Sequence, residues 1–239
     1  MVSRVLVALD VPEGGRALEL ATLLRPHVGG FKVGLELLMG EGPDIVTRVT
    51  DLGAPVFVDA KLHDIPNTVA GAIRRLGALG PRWVTVHASG GEEMLRAAVE
   101  ALAESSGGRA GVLAITVLTS LDAGGLASVG VGHSIGDQAE AMSRLAATAG
   151  AEGVVCAVPE ASRLKSLGLD LTVVTPGIRP AGTDDSDQKR VATPKASIAA
   201  GADLMVVGRP ITAAPDPVEA AVAINDEIVA ALSEAQLAP

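Results

Sequence analysis

Hydrophobic positions along this chain fall into two alternating textures. Short β-branched runs recur at Val5–Leu9, Phe31–Gly34, Val56–Ala60, Trp83–His87, Val112–Leu118, Gly153–Ala157, Leu171–Thr175 and Leu204–Val207. They are nearly unbroken apolar runs, the pattern of strands buried on both faces of a parallel sheet. Between them lie Ala- and Leu-rich segments of helical period: Gly15–Leu24, Asp44–Leu52, Pro66–Leu79, Glu92–Glu104, Ile135–Gly150, Ser162–Leu167 and Thr193–Ala200, with Pro217–Leu232 last. Eight such strands alternating with helices, with no Ser- or Pro-rich linker, predict an α/β chain folded as one closed (β/α)8 TIM barrel domain over residues 1–239. A doubly wound open sheet would carry a Gly-rich turn after its first strand. Here that strand runs into Asp10-Val11-Pro12-Glu13, which is no dinucleotide fingerprint.

Composition narrows the picture. Phe31, Phe57 and Trp83 are the only Phe or Trp residues and there is no Tyr, so Val, Leu, Ile and Ala must fill the core. The net charge of −9 comes without a basic stripe or stacking aromatics, which argues against a general nucleic-acid partner. A single cysteine, Cys156, excludes an intrachain disulfide and a cysteine-rich zinc site, and its apolar run reads as buried packing. No stretch approaches the roughly 18 apolar residues of a membrane span. The N-terminus enters a strand without a leader pattern, so a cytoplasmic protein with no membrane partner is expected.

Barrel chemistry gathers at the C-terminal ends of the strands. Asp10 ends the first predicted strand, Lys32 lies in the second, and Asp59 and Lys61 end the third. Thr119 and Ser120 follow the fifth, Gly177 and Arg179 the seventh, and Gly208 and Arg209 the eighth. Asp59 and Lys61 are two apart, so a strand turns both to the barrel interior, where Lys32 can join them. Such an array serves either as a rigid catalytic ammonium site or as a structural ion-pair cluster. Asp64, just before Pro66, also reads as a helix N-cap. The glycines and arginines after strands seven and eight fit a phosphate, which barrels often hold there.

The segment 176–193 is polar and long for a strand–helix connection, which marks it as a lid or binding loop. His63-Asp64 invites comparison with metal phosphohydrolases, but His27, His87 and His133 show no ligand spacing, so no metal is expected. For His87 a structural hydrogen bond and a substrate contact fit equally. Ser89-Gly90-Gly91 reads as an anion cradle or as the ordinary start of a helix.

Asp59-Ala60-Lys61-Leu62-His63-Asp64-Ile65-Pro66-Asn67-Thr68 resembles the DxKxxDIxNT signature of the orotidine 5'-monophosphate decarboxylase family, in its bacterial branch. Leu9-Asp10, Phe31-Lys32-Val33-Gly34, Val117-Leu118-Thr119-Ser120, Thr175-Pro176-Gly177-Ile178-Arg179-Pro180, Asp187-Gln188-Lys189-Arg190 and Val207-Gly208-Arg209-Pro210-Ile211 extend the resemblance in order over essentially the whole chain. The clearest local departure is Leu121, where methionine is commoner, and no catalytic position is touched by it. The resemblance implies a cofactor-free carboxy-lyase acting on a nucleotide at the end of pyrimidine synthesis. Lys61 would be the proton donor, with Lys32, Asp59 and Asp64 completing the charged array. Asp10 and Lys32 would bind the ribose hydroxyls, and Thr119 and Ser120 would read the pyrimidine. Gln188 would bridge base and phosphate, and Arg179, Gly208 and Arg209 would hold the phosphate. Asp64 and Thr68 would reach into the neighbouring subunit's site, implying a homodimer. Two other readings share parts of this pattern: a Mg²⁺-dependent 3-keto-L-gulonate 6-phosphate decarboxylase, and a non-catalytic phosphate-binding barrel. The continuation Ile65-Pro66-Asn67-Thr68 and the base-reading positions weigh against the first, and the intact set of charges weighs against the second.

Overall fold

In the computed structural model, which describes residues 3–180 and 190–237, eight parallel strands close in chain order into a barrel. They are β1 (Val5–Ala8), β2 (Gly30–Val33), β3 (Val56–Leu62), β4 (Trp83–His87), β5 (Gly111–Ile115), β6 (Gly153–Val155), β7 (Thr172–Thr175) and β8 (Leu204–Val207), with β1 paired to both β2 and β8. The helices on the outside are α1 (Gly14–Leu24), α2 (Leu35–Glu41), α3 (Asp44–Thr50), α4 (Pro66–Gly77), α5 (Glu92–Ser106), α6 (Ala123–Ser128), α7 (Ile135–Thr148), α8 (Val158–Ser166), α9 (Pro194–Ala199), α10 (Arg209–Thr212) and α11 (Pro217–Leu237).

The strand alternation explains the unbroken apolar runs. Val5, Val7, Leu9, Phe31, Val33, Val56 and Val58 pack outward in the core shared with the helices. Leu6, Ala8, Phe57, Trp83, Leu113, Val174 and Val206 fill the barrel interior. Both faces are dry, so both sets are hydrophobic. Parity then carries the interior positions onward to Asp10, Lys32, Asp59 and Thr85.

The opposite mouth is closed by a polar cluster. Trp83 Nε1 donates to Glu152 Oε1 at 2.8 Å, Arg82 grips the same carboxylate with both terminal nitrogens, and the guanidinium carbon lies 4.7 Å from the Trp83 ring centroid. A fork on a carboxylate and a cation over an indole both favour arginine here.

The fifth and third strands end away from where the hydrophobic pattern places their ends. The fifth was expected to run to Leu118, yet the last ladder bond is Thr116 N–H to Val155 O at 3.0 Å. Val117 stays buried, but its carbonyl and that of Leu118 turn to the Arg190 side chain instead of a strand. The third strand runs longer than expected, to Leu62, because it contains a bulge. Val58 pairs with Val84 and Leu62 with Val86, so three residues, Asp59 to Lys61, oppose the single residue Thr85. Helices α2, α6 and α10 were not expected, and α8 begins at Val158, ahead of the predicted Ser162.

Candidate active site

A cavity of about 430 Å³ opens at the C-terminal ends of the strands. On its floor four charged side chains, from β2, β3 and the segment just beyond β1, form a continuous chain. Lys32 Nζ lies 2.8 Å from Asp10 Oδ1 and 3.7 Å from Asp59 Oδ2, and Asp59 Oδ2 also accepts a short bond from Lys61 Nζ. Lys32 and Asp59 are buried, at 7% and 8% exposure, while Asp10 and Lys61 reach toward the opening. Charges this deep are sustained only by mutual pairing and full hydrogen bonding.

Local backbone shapes this array. Lys61 is the only non-glycine residue with positive φ among the described residues, at +49°. Left-handed backbone costs an L-residue about 1–2 kcal/mol, and it persists here at the bulge that turns the Lys61 ammonium back onto Asp59. The buried Thr85 hydroxyl completes the bulge. It accepts the Lys61 N–H at 2.9 Å and donates to Asp59 Oδ1 at 3.0 Å. Both oxygens of Asp59 are thereby engaged. Gly34, following β2, gives the pair room, since a Cβ there would sit 2.7 Å from Lys32 Nζ and collide with Asp10 Oδ1.

Other candidates divide. Thr119, Arg179, Gly208 and Arg209 line the same cavity, as does Gly177, whose φ of +77° suits glycine. Ser120 is exposed in the turn after Thr119 and is not part of the lining. Arg179 N–H donates to Ala192 O at 2.9 Å and Ala192 N–H to Gly177 O at 3.1 Å, so the two ends of the long connection are tied together. Gln188 and the rest of 181–189 lie outside the described residues.

Asp64 and Thr68 are exposed and lie outside the cavity lining of their own chain. The N-cap of α4 is Ile65, not Asp64; the Asp64 carboxylate instead accepts the Ile65 N–H at 2.6 Å. The expectation of Asp64 as a cap is thus corrected: Pro66 already occupies the first helical turn, where no N–H at that position needs capping. The described part of this chain therefore joins Asp10, Lys32, Asp59 and Lys61 but leaves Asp64 exposed outside the lining.

His87 is half-buried at the end of β4, its ring 5.5 Å from that of His63. Burial, with His63 and Lys61 adding like charge, holds its pKa below the usual histidine value against the pull of Asp59. Cys156 is buried in the cavity wall, and burial pushes its thiol well up, so it is inert packing rather than a nucleophile. Among the described residues no cluster of three His, Cys, Asp or Glu side chains is arranged to hold a metal ion.

Sequence reasoning passed over Thr85 and Glu160, and met Arg190 only inside a motif, with no role and no sign of its 2.7 Å pairing with Glu160. A usable signal existed for Thr85. It is a polar residue at an inward parity position between Trp83 and His87. For Arg190 the motif disclosed no role, because its partners, Glu160 and three backbone carbonyls, are distant in sequence.

The sequence profile of the Orotidine 5'-phosphate decarboxylase / HUMPS family matches residues 3–224. The chain belongs to this family. An orotidine 5'-phosphate decarboxylase of Thermobifida fusca is 48% identical over 230 residues, covering 95% of this chain and 97% of the relative. One from Halorhodospira halophila is 50% identical over 232 residues, covering 95% and 97%. Among solved structures, orotidine 5'-phosphate decarboxylase from Lactobacillus acidophilus superposes with a TM-score of 0.83 at 37% identity, covering 95% of this chain and 99% of that one. The barrel architecture is thus that of the family.

Proposed function

We propose that this protein decarboxylates orotidine 5'-monophosphate to uridine 5'-monophosphate without a cofactor, completing pyrimidine nucleotide synthesis in the cytoplasm. The observation that carries the reading is the Asp10–Lys32–Asp59–Lys61 chain on the floor of a cavity that Arg179 and Arg209 also line. A fixed ammonium and guanidinium-bearing residues in one cavity suit a nucleotide held by its phosphate and transformed at its base. The names of the relatives point to the same substrate.

The chemistry demands such an array. When the bond from C6 to the carboxylate breaks, CO₂ departs and the electron pair stays in an sp² orbital that the ring delocalises poorly. A pre-oriented ammonium stabilises this charge without reorganisation and then transfers its proton to C6. Lys61 fills that role, and its neutral amine regains a proton from solvent. Asp59 locks the ammonium, Lys32 prevents Asp59 from facing the substrate as an isolated charge, and Asp10 with Lys32 meets the ribose hydroxyls. Thr119 and Ser120 read the pyrimidine edge, Arg179, Gly208 and Arg209 hold the phosphate, and Gln188 bridges base and phosphate. Remote phosphate binding then supplies energy that orders the site for chemistry, with 176–193 as the lid.

The active form is a homodimer in which the Asp64 and Thr68 side chains enter the partner subunit's site. Apolar exposure supports this. Met39 and Ile65 are 73% and 66% exposed, and Leu35 is also uncovered; all three follow strands on the cavity side of the barrel. Incubation with orotidine 5'-monophosphate should yield equal amounts of uridine 5'-monophosphate and CO₂. Nucleotide binding without CO₂ release would instead identify a phosphate-binding barrel. Turnover of 3-keto-L-gulonate 6-phosphate that stops with a chelator would identify the Mg²⁺-dependent enzyme.

A further inference from the structure

Away from the reacting groups, one buried ion pair stands behind the cavity wall. Glu160, in the first turn of α8, and Arg190 meet at 2.7 Å with side-chain exposures of 7% and 13%. Neither lines the cavity. Burying two opposite charges gains little unless their remaining donors and acceptors are also used. Here they are used in an ordered way. Arg190 Nη2 donates to Leu118 O at 2.9 Å and Val117 O at 3.3 Å, and Nε reaches Thr119 O at 3.5 Å. The second Glu160 oxygen accepts the Ala157 N–H at 3.2 Å.

Three consecutive carbonyls thus end on one guanidinium. They belong to the segment just beyond β5, where the sheet ladder has stopped and no neighbouring strand takes its acceptors. That segment delivers Leu118 and Thr119 to the cavity. A lysine could not replace the arginine, because a single ammonium cannot span a carboxylate and three spread carbonyls in a fixed plane. We infer that Arg190, anchored by Glu160, is a positioning residue that sets the Val117–Thr119 backbone and thereby the recognition of the nucleotide base, as distinct from the grip on its phosphate.

This inference rests on the function proposed above. Its mechanism is indirect, through carbonyls that orient the Thr119 backbone and the following Ser120. Loss of the guanidinium therefore loosens base recognition while leaving Arg179 and Arg209 to bind phosphate.

The test compares the full-length wild type with Arg190→Met, Arg190→Lys and Glu160→Gln. Affinities for uridine 5'-monophosphate and for ribose 5-phosphate are measured side by side, with kcat and KM for orotidine 5'-monophosphate. Arg190→Met and Arg190→Lys should weaken uridine 5'-monophosphate binding about tenfold or more while changing ribose 5-phosphate binding less than about twofold. Glu160→Gln should shift in the same sense but less, since a neutral amide still accepts from the guanidinium. Equal weakening of both ligands, or no change in either, would overturn the inference. If Arg190→Met does not fold, the Lys and Gln variants carry the same comparison. A wild type that neither binds uridine 5'-monophosphate nor turns over substrate would remove the proposed function itself, an outcome distinct from failure of the variants alone.

Discussion

Thr85 is bonded to both sides of the catalytic candidate Lys61: its hydroxyl accepts the Lys61 backbone N–H at 2.9 Å and donates to the Asp59 carboxylate at 3.0 Å. One buried oxygen therefore stabilises an unusual backbone conformation and fixes the carboxylate that holds the ammonium. Thr85→Val preserves shape but removes both bonds. Turnover should fall about 10- to 100-fold with a smaller change in KM, and stability should drop by about 1–3 kcal/mol. Thr85→Ser should restore most of the activity. Steady-state kinetics and urea titration check both, and a valine variant with full kcat would refute the linkage.

Gly34 makes a second, steric demand. Its missing Cβ leaves space filled by Lys32 Nζ and Asp10 Oδ1, both ends of flexible side chains. In Gly34→Ala those ends must move apart, which the fold tolerates but the array does not. The melting temperature should change little, whereas kcat/KM should fall by an amount worth about 1.5–3 kcal/mol.

His87 gives the pH dependence of stability a definite sign. Its pKa in the folded protein lies below the ordinary value of 6.5, so in the window just under pH 6.5 the unfolded chain binds more protons than the folded one. Its contribution is complete above that value and is lost as pH falls through the folded pKa. Burial is the main cause, with His63 and Lys61 adding to it and Asp59 opposing. Replacing His87 with Gln should flatten the stability curve in that window, by up to about 1.4 kcal/mol per pH unit. Urea denaturation at closely spaced pH values measures the slope, and an unchanged slope would contradict the assignment.

Exposure of Asp64 and Thr68 outside their own cavity leads to a test of subunit sharing. Asp64→Asn and Lys61→Ala homodimers should each be nearly inactive. Mixed and re-equilibrated, they should regain up to about one quarter of wild-type activity. The reason is that each hybrid dimer places both lesions in one site and leaves the other intact. Activity that never rises above that of the parents would place Asp64 in its own subunit's chemistry.

Much of this architecture was legible in the sequence because the barrel repeats one simple rule. Trp83–His87 and Leu204–Val207 are found as read, since each is an apolar run bounded by turn residues. The strand-end charges were equally visible, as polar residues on the inward parity of such runs. What stayed hidden depends on partners remote in sequence. The bulge at Asp59–Lys61 is a mismatch of register against β4, which β3 alone does not encode. The early end of β5 depends on Arg190, more than 70 residues away. Helix α2, with Leu35 and Met39 exposed, lacks a clean apolar stripe, and α10 is a single turn after Gly208.

The central claim is that Lys61 supplies both the charge and the proton for a reaction needing no cofactor. The most direct measurement follows loss of the orotate absorbance with orotidine 5'-monophosphate in excess chelator, for wild type and Lys61→Ala, alongside binding of uridine 5'-monophosphate to each. The account predicts undiminished wild-type turnover in chelator. It also predicts that Lys61→Ala loses nearly all decarboxylation, by about 10⁴-fold or more, while still binding the product. Substantial turnover by Lys61→Ala, or wild-type activity abolished by the chelator, would contradict it.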